Sequence, residues 1–239
     1  MAKMTLEELV AQLGSVLGAG LRSVVLYGSA AAGEHIPNRS DYNVLVIVER
    51  LDAERLRSLS ATARAWGEAG NPPPLIFTEE EWRDSADVFP MEYADMIDRH
   101  RVLHGPSPFD GMRVSRSDLR LQVEHQARGK LLALRQGLLA AAGDRKAELQ
   151  LLSSSVSTIM VIFRGVERLR GETPSRDNVE LSRAVSGAAR VEADAFVRAV
   201  RHVRGETRIP PVDAPPVLDG FLKGMEGIVE FLDRFPAEG

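Results

Sequence analysis

The sequence predicts an α+β protein, with an N-terminal mixed sheet flanked by helices and a C-terminal all-helical bundle. Three observations carry this reading. Over the first 105 residues, short β-branched and leucine runs alternate with segments of helical period. Beyond Pro106, Pro108 and Gly111 the long segments all have a helical period. The charge changes at the same place: residues 1–112 hold ten Lys/Arg against seventeen Asp/Glu, residues 113–208 hold eighteen against eleven, and the tail to residue 239 holds two against six. The expected domains are residues 1–110 and 113–239, and 239 residues at 44% hydrophobic content suffice for two cores.

Taken in order, Thr5 and Glu8 form a capping box, and Leu6, Leu9, Val10, Leu13, Val16 and Leu17 recur at helical spacing to Gly18 or Gly20. Ser23–Tyr27 is a short buried strand ending at Gly28, Ala30 to Ala32 starts a helix, and the uninterrupted Val44–Val48 suits a central strand covered on both faces. A second helix spans Ala53 to Glu68 and is closed by Gly70, after which Asn71-Pro72-Pro73-Pro74 leads rigidly into the strand Leu75–Phe77. Thr78 with Glu81 is a second capping box, Met91–Arg99 reads as helix, and Arg101–His104 as a short edge strand. In the bundle, helices are expected over Ser117–Ala142, Asp144–Leu169, from Asp177 with an interruption to Arg204, and Val217–Phe235. Phe77, Trp82, Phe89 and Tyr93 are expected in the core.

Composition excludes some functions. With no cysteine there is neither a disulfide framework nor thiol catalysis nor a thiolate metal site, which suits a cytoplasmic setting. No run approaches the roughly 18 apolar residues of a membrane span, and the start of the chain does not read as a signal peptide. The net charge of −4 and the lack of Lys/Arg runs interleaved with aromatics make nucleic acid an unlikely partner. Self-association is compatible with the sequence but not specified by it.

The chemistry concentrates in Leu26-Tyr27-Gly28-Ser29 and, eleven positions after Ser29, Ser40-Asp41-Tyr42-Asn43. Glycine lets the backbone approach a phosphate closely, and a serine at a helix start adds hydroxyl and amide donors. Residues 41 and 43 of a strand share one face, so oxygen ligands at both can hold a hard Mg²⁺ against a triphosphate. Residue 43 is Asn, whose amide oxygen ligates weakly and brings no charge. Arg39 is a candidate to neutralise a phosphate, Ser40 to hold the turn before Asp41, and His35 to donate to phosphate, each against a plain surface role. On the first bundle helix, Arg128 or Lys130 is a candidate triphosphate clamp, against a solvated pair of Glu124 with Arg128.

With these residues, the first 105 positions resemble the nucleotidyltransferase superfamily of the DNA polymerase beta type, including aminoglycoside nucleotidyltransferases. Gly28, Ser29, Ser40 and Asp41 match the motif, and a helical C-terminal domain is common in that family. The resemblance implies Gly28 and Ser29 on nucleotide phosphates, Mg²⁺ at Asp41 and the position of Asn43, and a third acid serving as base. Glu79 and Glu92 are the candidates for that acid. The implied function is transfer of a nucleoside monophosphate from a nucleoside triphosphate to a hydroxyl of a small molecule or protein, with a metal site reduced by Asn43. The alternative is an inactive relative that binds nucleotide or protein.

Overall fold

The computed structural model describes residues 3–28, 30–31 and 41–235, and the chain divides into two compact units, Met1–Val114 and Ser115–Gly239.

In the first unit, α1 (Leu6–Leu17) starts at the Thr5–Glu8 capping box. It leads through a 3₁₀ turn into β1 (Leu21–Tyr27), which begins two residues before the expected strand. Ala30 and Ala31, expected to open a helix, form a turn. β2 is Asn43–Val48, so Asp41 and Tyr42 stand just ahead of the strand rather than within it. The single helix expected over Ala53–Glu68 is two, α2 (Ala53–Ser58) and α3 (Ser60–Glu68), interrupted at buried Leu59. β3 (Leu75–Thr78), α4 (Glu79–Asp84), α5 (Pro90–Asp98) and β4 (His100–His104) complete the unit.

Among the described residues the sheet has four strands in the order β3-β2-β1-β4. β1 is antiparallel to both β2 and β4, whereas β2 and β3 are parallel. Strand alternation sends Val24, Leu26, Val44, Val46 and Val48 to one face, where Leu9, Leu13 and Trp66 cover them. Val25, Leu45 and Ile47 go to the other, under Trp82, Tyr93, Met96 and Phe109. Each such aliphatic side chain removed from water contributes about 1.5–3 kcal/mol, so β2, buried along Val44–Val48, is the best anchored strand. Phe89 departs from the expected core: it is 44% exposed at the start of α5. Residues 106–109 are tied to the sheet unit. Pro106 accepts from the Ser23 hydroxyl, Pro108 accepts from the Trp82 indole, and Phe109 is buried against Trp82.

The second unit is all-helical: α6 (Arg116–Ala141), α7 (Arg145–Leu169), α8 (Asn178–Ala189), α9 (Asp194–Arg204) and α10 (Ala214–Asp233). The interruption expected before Arg204 falls at Arg190, which adopts φ +58° at the end of α8. α7 is long and apolar enough to cross a membrane by length and composition. Its buried Leu152, Ile159, Ile162, Phe163 and Val166 nevertheless form the middle of the bundle, with Phe163 edge-on to Phe196 of α9.

Candidate functional site

β1 ends at Gly28, which turns the chain with φ +78° and donates its N–H to the Arg99 carbonyl at the end of α5 (3.0 Å). Across the β1–β2 pair Tyr27 is opposite Asn43, and a Cβ on Gly28 would stand 3.7 Å from Nδ2 of Asn43. Gly28 and Asn43 are therefore neighbours at one end of the sheet. Asp41, exposed, precedes them by two residues on the β2 side.

Tyr27 ties these groups together electrostatically. Burial first, and then the Asp41 carboxylate, push its phenol up to about 12. Tyr27 is also opposite His100 on β4, so Asn43, Tyr27 and His100 form a row across three strands. The His100 Nδ1–H donates to the carbonyls of Met96 (2.9 Å) and Ile97 (3.0 Å), satisfying groups that the end of α5 leaves without helical partners.

Tyr42 points the other way, into the core on the α1 and α3 side. Its ring lies 6.2 Å from that of Trp66, and its N–H donates to Asn71 Oδ1 (3.0 Å).

The two candidate bases lie in different places. In the parallel β2–β3 pair Val48 is opposite Thr78, which puts Glu79 at the C-terminal end of β2. Asp41 lies before its N-terminal end, some seven residues away at about 3.3 Å each. Glu79 lines a surface hollow with Glu49, Arg50 and Asp52, and the sheet does not bring it to Asp41. Glu92 lies in the first turn of α5, on the same side of the sheet as Asn43, and with Asp95 occupies the helix side turned from buried Tyr93, Ala94 and Met96. Asp98, beside Arg99, is the acid of α5 nearest in sequence to the Gly28 contact, and only the sheet pairing singles it out. Ser29, Arg39, Ser40 and His35 lie outside the described residues.

In the helical unit, Arg128 is held by Glu124 (3.2 Å) and Asp233. These carboxylates, Glu124 first, raise its pKa. Lys130 is half-buried, and burial lowers its ammonium pKa. Arg128 is thus paired with two carboxylates of its own unit.

Over 96% of this chain and 100% of the other, the structure is similar to the crystal structure of spectinomycin adenyltransferase AAD(9) from Enterococcus faecialis with ATP and spectinomycin, at a TM-score of 0.57 and 12% identity. The fold is that of the polymerase beta-type nucleotidyltransferases. No family model matches the sequence, and no curated protein matches it.

Gly28, Asp41 and Asn43 stand at one end of the sheet, and the donor set there decides which metal fits. Among the described residues no group of three His, Asp or Glu could hold a metal ion. One carboxylate and one amide oxygen suit a single Mg²⁺ that keeps water and phosphate oxygens in its shell. They do not suit two ions bridged by shared carboxylates.

Proposed function

We propose that this chain binds a nucleoside triphosphate with Mg²⁺ on its N-terminal unit and transfers the nucleoside monophosphate to a hydroxyl of a small-molecule acceptor. The observation that carries the reading is the adjacency of Gly28, Asp41 and Asn43 at one end of the sheet. The neighbour's crystallisation with ATP and spectinomycin supports pairing a nucleotide with a small-molecule acceptor.

In this reading the Gly28 turn admits phosphate oxygens close to the backbone, with Ser29 beside it. Asp41 and the Asn43 amide oxygen hold one Mg²⁺, which supplies charge stabilisation to the phosphoryl oxygens. The acceptor oxygen forms its bond to the α-phosphorus as the bond to pyrophosphate breaks, and the hydroxyl proton passes to a carboxylate of α5. Glu92 and Asp98 are the candidates, since both lie on the helix that reaches Gly28. Arg39 and Ser40 immediately precede Asp41 in sequence and are assigned to the phosphates. The protein acts in the cytoplasm.

The test is isothermal titration with each of the four ribonucleoside triphosphates, with and without Mg²⁺, followed by a pyrophosphate-release assay over a panel of aminocyclitol and aminoglycoside acceptors. Mg²⁺-dependent binding of at least one triphosphate is expected, and no binding by any of them overturns the reading. A second reading, a nucleotide- or protein-binding module without transfer, is favoured by the neutral Asn43. Binding without pyrophosphate release for any acceptor would support it.

A further inference from the structure

Asp41 and Asn43 can serve a ligand only if the backbone that carries them is held, and most of the sheet does not reach it. On the β1 side the ladder stops at Tyr27 opposite Asn43. On the β3 side it begins only at Leu45 opposite Leu75, and the three residues before Leu75 are prolines, which have no N–H to give.

Residues 41–42 thus lie beyond the ladders, and the Tyr42 N–H donates instead to Asn71 Oδ1 (3.0 Å). Asn71 is itself fixed by the way α3 ends. Gly70, at φ +97°, donates to the Gly67 carbonyl (2.9 Å), and the Asn71 N–H reaches back to the Trp66 carbonyl (3.4 Å). These are the two bonds of a Schellman closure, which needs the left-handed glycine. The same turn brings the Trp66 ring, fully buried, against the Tyr42 ring. The end of α3 therefore grips Tyr42 by backbone and by side chain.

We infer, resting on the nucleotide-site reading above, that Asn71 is a positioning residue that latches Tyr42 and thereby keeps Asp41 and Asn43 beside Gly28. Asn71 touches no reacting atom; it acts through the backbone between the two ligands. In the sequence, an Asn before three prolines is an ordinary loop signal.

Asn71→Leu removes the acceptor at similar size, and Asn71→Asp retains it. The readouts are amide hydrogen exchange at Tyr42 and calorimetric affinity for each Mg²⁺–triphosphate pair. Losing one hydrogen bond to the Tyr42 amide should speed its exchange about tenfold in Asn71→Leu, leaving the Val102 amide of β4 unchanged. Triphosphate affinity falls severalfold, and Asn71→Asp recovers both. Unchanged Tyr42 exchange, faster exchange with unaltered affinity, or an Asn71→Asp no better than Asn71→Leu would each overturn the inference. Should Asn71→Leu not fold, Asn71→Ala supplies the same comparison. Failure of the wild type to bind any triphosphate would sink the site reading and this role together. Failure of the latch alone leaves wild-type binding intact with no response at Tyr42.

Discussion

Gly28 lies beside Asn43 at the end of the β1–β2 pair with room for a methyl group between them, since a Cβ at Gly28 would lie 3.7 Å from Nδ2 of Asn43. The glycine is therefore required by its φ of +78° rather than by lack of space. Gly28→Ala should cost about 1 kcal/mol of stability through the left-handed backbone. Urea denaturation measures this, and a loss too small to detect would show that the turn relaxes.

Restoring a carboxylate opposite Tyr27 tests the metal site. Asn43→Asp places a second negative charge near Asp41, so without metal the two repel and the melting temperature falls. Mg²⁺ should reverse this and bind on the order of tenfold tighter than in the wild type, because affinity follows the charge of the ligands. Thermal melts with Mg²⁺ and with a chelator provide the check.

Asp41 and Glu79 occupy opposite ends of β2, so their amide variants should behave differently. Asp41→Asn is expected to lower nucleotidyl transfer by about a hundredfold or more, the usual consequence of losing a group that acts on developing charge. Glu79→Gln should stay within about twofold of the wild type, as its hollow lies with Glu49 and Asp52. Pyrophosphate release under saturating triphosphate separates the two.

Tyr27 should titrate late. Its folded phenol, at about 12, lies above the ordinary value of 10.0, so it favours the folded state fully below pH 10 and loses that contribution as the pH rises through 12. Because burial outweighs Asp41 as a cause, Asp41→Asn should bring the value only part of the way back. Phenolate absorbance during alkaline titration reads both.

In the helical unit Asp177 caps α8 by accepting from the N–H groups of Val179 (2.7 Å) and Glu180 (3.0 Å), and it also pairs with Arg204 (2.8 Å). Arg204 first, then these N–H groups, hold its carboxyl below 3.8 against the opposing effect of burial. Its contribution is thus present above pH 3.8 and lost as the pH falls through the lower folded value. Asp177→Ala should cost about 1–2 kcal/mol at neutral pH and flatten the acid limb of a pH–stability curve.

Much of this molecule was legible in the amino-acid order because it depends on short-range chemistry. Capping boxes at Thr5 and Thr78, the apolar run of β2 and the helical periods of the bundle each act within a turn or a strand, so residue spacing alone determines them. The pairing of Gly28 with Asp41 and Asn43 was readable for the same reason, as a turn and a strand start with two polar positions. Tertiary structure decided what depends on pairing between distant segments. The parallel register of β2 with β3 carries Glu79 to the far end of the sheet, although it follows a strand adjacent to β2. The β1–β4 pairing brings the end of α5 to Gly28, and the closure of α3 sets Asn71 on Tyr42. Strand register and helix-end geometry position these side chains, and neither is expressed in the spacing of the residues they bring together.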